Sequence, residues 1–225
     1  MSVVSLFDAQ IFVLASPDSG IAERFLRPQL ESLPRNYRVA FAAACIERHA
    51  PRLRHALAAG ASELEELGIG LDLAWESALC QGIDRDWLAS LLRPCADLFQ
   101  RQTPLMEEGA RAMLACLEAA RTGGSEPVVR VSRHIVFLAA HSVGAQLPQR
   151  ARGTAAVEQT SPEITQARLE RERQYRDLCE LRKTAAAPSV NLVRRLRDRA
   201  AMEAALTPDD SSTLAELPRR CACGR

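Results

Sequence analysis

The apolar pattern is densest between Tyr37 and His49. From Val39 to Ile46 all eight residues are apolar, and four of them are alanine. Alanine is the best helix former, and its small side chain lets neighbouring helices approach closely. A helix that is apolar all round belongs in the middle of a bundle. This one is too short to span a bilayer, which needs about 20 apolar residues. Pro34 opens it near its first position, where a missing N–H costs nothing. Pro51 kinks or ends it near Ala50, and Arg52 to Ala59 continue until Gly60 stops the chain.

The other segments follow the helical period. A helix is expected from Ile21 to Ser32, with Pro28 inside it. Ser62 and Glu65 form a capping box, and Leu64, Leu67, Leu71 and Trp75 recur every three or four residues up to about Gly82. Asp84 caps a short helix through Leu92. Residues 95–122 hold one long helix or two in line, with Pro104 near the junction, and Gly123-Gly124 ends it. Ser125-Glu126-Pro127 starts a helix to about Ala145, with Val131, Ile135, Leu138 and Val143 inward. Pro148 to Thr160 is a polar connection. The helix from Ile164 to Thr184 is densely charged with a thin apolar stripe of Ile164, Ala167, Leu178 and Leu181, which predicts a surface helix. The last helix opens at Pro188-Ser189 and turns Leu192, Val193, Leu196 and Ala200 inward. The predicted fold is therefore all-α: a single-domain multi-helix bundle around a central Ala-rich helix. Residues 23–206 form the domain, residues 1–22 an N-terminal extension, and residues 207–225 a flexible tail rich in Pro, Asp, Ser and Thr.

Composition narrows the functional classes. Formal net charge is +1, which argues against a general polyanion binder. The basic face of the last helix is small, so no specific nucleic-acid role is expected. Lys183 is the sole lysine among 29 basic residues. Arginine suits bidentate binding of carboxylate or phosphate, but an Ala- and Arg-rich chain fits a GC-rich genome better. Seven widely spaced cysteines, an odd count, do not form a disulfide framework and suit a reducing cytoplasm. No leader is expected, because Asp8 interrupts residues 3–15 and no basic segment precedes them. No apolar run is long enough for a membrane span.

The chemistry-bearing residues are sparse. Asp72 and Glu76 share a helix face beside Trp75 and could bind a metal or act as acid and base. Pairing with an arginine of a neighbouring helix is the better reading. Glu47, Arg48 and His49 leave the central helix together, but residues two apart do not face each other. His134 and His141, seven apart, are read as core or rim histidines, because helical ligand pairs come one turn apart. Ser142 lacks the strand-to-helix elbow of a nucleophile. Cys221 and Cys223 are the close thiol pair, without further ligands nearby for zinc. No phosphate loop, dinucleotide fingerprint or metalloprotease motif is present. Neither a cofactor nor a metal is expected.

Three segments in order resemble the YjaG-like bacterial family of unknown function. They are Leu30-Glu31-Ser32-Leu33, Val39 through Arg48 with its Cys-x-Glu-Arg pattern, and Leu71-Asp72-Leu73-Ala74-Trp75-Glu76. The similarity covers roughly residues 24–205. The resemblance implies a compact all-helical domain and no reaction. Glu47, Arg48, Asp72, Trp75 and Glu76 match its motifs and are expected to form a structural cluster.

Two functions remain as expectations. One is a non-enzymatic protein-binding domain whose partner is another protein, in one concrete form an immunity-type protein that neutralises a cognate bacterial toxin. Its interface would be an exposed charged surface, with Glu170, Glu172, Arg173, Arg176, Asp177, Arg194, Arg195 and Arg197 as candidates, or the 148–160 loop. The other is a metal-binding or hydrolytic enzyme in which Glu47, His49, Asp72 and Glu76 converge from two core helices. Oligomeric state is open.

Overall fold

A computed structural model describes residues 19–56, 61–79, 104–144 and 162–205. Among the described residues there are eight helices and no strand, so the fold is an all-α bundle. The helices are α1 (Ser19–Glu31), α2 (Arg35–Glu47), α3 (Ala50–Ala56), α4 (Ala61–Leu79), α5 (Pro104–Thr122), α6 (Ser125–Gly144), α7 (Pro162–Lys183) and α8 (Val190–Ala205). The expected short helix from Asp84, the 148–160 connection, the 207–225 tail with Cys221 and Cys223, and most of the 1–22 extension lie outside the described residues.

The Ala-rich helix is central, as its pattern requires. Every residue of α2 from Val39 to Ile46 is fully buried. It packs against α4, α5, α6, α7 and α8. Trp75, Met113, Leu117, Ile135, Leu178 and Leu181 close around it from four of those helices. Burying a side chain of this size contributes roughly 1.5–3 kcal/mol each. Tyr37 is also buried, but its hydroxyl has work to do. It meets Thr184 Oγ1 at 3.2 Å and accepts the Ser189 N–H at 2.7 Å, which ties α2 to the α7–α8 turn.

The central helix ends earlier than the position of Pro51 suggests. Pro51 cannot donate to the carbonyl of Glu47, and its ring collides with that carbonyl if the helix continues. The chain leaves the helix at Arg48 and His49, whose N–H groups close on Ala44 and Ile46. Pro51 then falls in the first turn of α3, where no donor is needed. At the α5–α6 turn, Gly123 has φ +70°, a left-handed conformation that favours glycine. Its N–H caps the Ala119 carbonyl at 2.7 Å.

Candidate functional site: a buried ionic network at the α2–α3 break

α7 is where the structure departs most from expectation. It is not merely a surface helix with a thin apolar stripe. Glu170, Gln174 and Asp177 are buried, in line with Leu178 and Leu181. Spacings of four, three and four place this polar stripe on the inward face. The expectation that Glu170 and Asp177 belong to an exposed binding surface is therefore corrected: Glu170 is 1% exposed and Asp177 0%. Burial is tolerated because both carboxylates are paired.

Their partner is Arg48, the cap residue of α2, itself 1% exposed. One guanidinium nitrogen donates to Asp177 Oδ2 at 2.6 Å. The other donates to Glu170 Oε1 at 3.1 Å and lies 3.6 Å from Cys45 Sγ. His49 Nε2 meets Glu170 Oε2 at 3.2 Å. Gln174 Nε2 donates to Glu170 Oε1 at 3.1 Å, and Ser132 Oγ of α6 donates to Gln174 Oε1 at 2.6 Å. Asp177 Oδ1 accepts from Arg199 of α8 at 2.8 Å. Arg199 also pairs with Glu180, and Arg176 with Glu203. One polar path thus joins α2, α6, α7 and α8. Glu170 and Asp177 thus meet Arg48 and Arg199 at short range, and Glu203 at 3.8 Å from Arg48, Arg173 at 3.9 Å from Glu170 and Arg176 at 3.9 Å from Asp177 extend the network.

The electrostatics fix the protonation states. Burial pushes the Glu170 carboxyl up, but the Arg48 charge and the His49 hydrogen bond outweigh it and hold the group at about 2. Burial opposes the Arg48 charge, yet Glu170 and Asp177 raise its pKa well above the ordinary value. Burial lowers the His49 pKa, and its bond to Glu170 only partly offsets this. A neutral His49 beside an ionised carboxylate donates through Nε2. Its Nδ1 is then a buried acceptor, and it has no hydrogen-bond partner. Burial drives the Cys45 thiol well above its usual range, so it stays protonated. The cluster is a fixed clamp of matched charges. A cavity of about 20 Å³ beside Ser132, Gln174 and Arg171 has room for one water at the α6 end of the path.

Of the five residues of the resemblance, Glu47, Asp72 and Trp75 lie in a second, smaller cluster, whereas Arg48 belongs to the first network, so the five do not form one cluster. Trp75 Nε1 donates to Glu47 Oε2 at 3.0 Å, linking α4 to α2. Asp72 pairs with Arg197 of α8 at 2.5 Å, and the Arg197 guanidinium lies 5.9 Å from the Trp75 ring centre. Asp72 thus has the interhelical arginine partner expected of it. Glu76 is exposed. The four residues proposed to converge do not share partners: Glu47 holds Trp75, Asp72 holds Arg197, and His49 holds Glu170. Among the described residues no group of three or more His, Cys, Asp or Glu could hold a metal ion.

The remaining candidates are dispersed. Glu172 pairs with Arg168 along α7 at 3.0 Å, and Arg173 is half-buried. Arg176, Arg194 and Arg195 are exposed. His134 is buried and meets Glu108 at 2.6 Å, whereas His141 is exposed, stacked on Phe137 at 3.8 Å. Among the described residues no helix is long and apolar enough to cross a membrane. Scans against protein-family models, curated proteins and solved structures return no match for this chain.

Proposed function

We propose that the chain is a non-enzymatic protein-binding domain of the cytoplasm, with neutralisation of a cognate bacterial toxin as its most concrete form. The supporting observation is the contrast between the two faces of α7 and α8. Inward, their charges are matched and closed off from solvent around Arg48. Outward, Arg194 and Arg195 are exposed and make no ion pair among the described residues, and Met202 on the same helix is 64% exposed. Leu169 and Arg176 border a shallow groove of about 690 Å³ along α7, with Arg199 at its edge. Arginine beside exposed apolar side chains is the composition of interface anchors. The YjaG-like resemblance is compatible with this reading, because it implies a helical domain and no reaction.

The surface is redrawn accordingly. Glu170 and Asp177 leave it, and Arg173, Arg176, Arg194 and Arg195 carry it together with Glu172. The test is capture from the native host by the tagged chain, read by mass spectrometry. A stoichiometric protein is expected with the wild type and lost when Arg194 and Arg195 are both changed to Glu. Capture that survives reversal of this pair and of Arg173 and Arg176 would overturn the assignment.

A further inference from the structure

The seam between α5 and α6 carries an unbalanced arginine cluster outside the network described above. A shallow groove of about 500 Å³ runs along it, within the usual range for a small-ligand site. At its far end the charges are matched. Arg111 pairs with Glu107 and Glu108, His134 with Glu108, and Arg133 reaches Glu23 at 3.4 Å. At the end nearest the Gly123-Gly124 turn they are not. Arg121 and Arg130 face one carboxylate, Glu118, and Arg130 takes it at 2.5 Å. Arg121 makes no ion pair among the described residues. Several arginines elsewhere do have a carboxylate, as in Arg27–Glu126, Arg168–Glu172 and Arg197–Asp72.

A second observation points at a missing acceptor. The Nε–H groups of both Arg121 and Arg130 are buried and have no hydrogen-bond partner. Nε is likewise unpartnered at Arg38, Arg48 and Arg199, but Arg121 and Arg130 differ in lining one groove together, where a single acceptor would relieve the cost of both. Favourable placement of Arg121 near the α5 C-terminus does not supply one. That role is filled by Arg35, which donates to the Ala120 carbonyl at 2.6 Å and the Arg121 carbonyl at 3.4 Å. Arg35 therefore adds a third positive charge to the same end.

We infer that the turn end of the α5–α6 groove binds a phosphate group, held by the forked donors of Arg121 and Arg130 with Arg35 behind them. A doubly charged tetrahedral oxyanion matches both the surplus charge and the several donors, and guanidinium forks bind it bidentately. The phosphate is either free or carried by a nucleotide.

The test is isothermal titration of the full chain with pyrophosphate and, separately, with ADP. Saturable pyrophosphate binding with a dissociation constant on the order of 1 mM or tighter is expected. Arg121→Ala should weaken it about tenfold or more, the scale of one lost charge-assisted hydrogen bond. Arg194→Ala on α8 should leave it unchanged. Circular dichroism checks that both variants keep the wild-type helical signal. ADP binding tighter than pyrophosphate assigns the site to a nucleotide, and equal binding assigns it to the phosphate group alone. No saturable binding, or binding that Arg121→Ala leaves intact, overturns the inference.

Discussion

Replacing Arg48 with methionine removes the guanidinium that bridges Glu170 and Asp177 while keeping a long unbranched side chain in its place. Two carboxylates that are 1% and 0% exposed then lose their nearest cation. Breaking a buried ion pair from one side costs about 3–5 kcal/mol, because the remaining charge stays desolvated. Local relief is partial. Asp177 keeps Arg199 at 2.8 Å, and Glu170 keeps His49 at 3.2 Å and Gln174 at 3.1 Å. A domain of ordinary stability, roughly 5–15 kcal/mol, loses about a fifth of it or more. For a chain of this length that is a fall of about 6–20 °C in Tm. Urea unfolding at pH 7, followed by circular dichroism, measures it as a shift in midpoint at constant slope. The triple variant Arg48→Met, Glu170→Gln, Asp177→Asn removes all three charges together and should recover at least half of the loss. Asp72→Asn is the control, because the Asp72–Arg197 pair is 64% and 40% exposed and such pairs contribute under about 1 kcal/mol. If Arg48→Met costs no more than that control, the network is not what holds α7 to α2.

The same network sets the response to acid. His49 has a folded pKa below its ordinary 6.5, so its contribution is complete above that pH and is lost as pH falls through it. Glu170, held at about 2 against an ordinary 4.5, contributes fully above 4.5 and loses its share as pH falls toward 2. Urea midpoints should therefore decline in two stages, and Glu170→Gln should flatten the lower one. Gly68 has nothing within 4 Å of a built Cβ, so Gly68→Ala should stabilise by about 0.5–1 kcal/mol. Gly123→Ala should destabilise by about 1–2 kcal/mol, because its φ is +70° and the new Cβ would lie 2.6 Å from Arg35 Cγ; thermal melts decide both. Cys45 and Cys116 are buried, with thiols raised by burial, that of Cys116 to about 12. Maleimide should label half-buried Cys179 in the native protein and reach those two only on unfolding, as peptide mass mapping would show.

The bundle was legible because its signals are local. Eight consecutive apolar residues with four alanines mark a buried helix whatever surrounds it, and the Ser125-Glu126-Pro127 start and Gly123-Gly124 stop depend on backbone rules alone. Asp72 beside Trp75 announced an interhelical partner, though not which arginine. α7 was misread for a physical reason. Periodicity counts apolar residues, and the inward face of this helix carries Glu170, Gln174 and Asp177 where leucines would normally stand. The spacing was visible: 170, 174, 177 and 178, then 181, follows a core stripe. What the sequence lacked was any sign that Arg48, more than a hundred residues earlier, would face it.

That pairing sits at the break after Glu47. Arg48 keeps helical dihedrals, φ −58° and ψ −28°, and the ladder tightens only at His49, whose N–H closes on Ile46. Pro51 forbids continuity, the chain turns at Arg48 and His49, and both side chains meet Glu170. Two partners of Glu170 thus sit side by side at the α2–α3 junction, three and two residues before Pro51. The pairing also fixes the register of α7. Sliding α7 by one turn would bring Glu170 or Asp177 against the apolar wall of α2, where an unpaired carboxylate is several kcal/mol less favourable. An apolar stripe at the same positions would hold α7 at least as tightly but would tolerate more than one alignment. The charged stripe selects a single alignment, and it keeps the outward arginines of α7 and α8 in a defined arrangement.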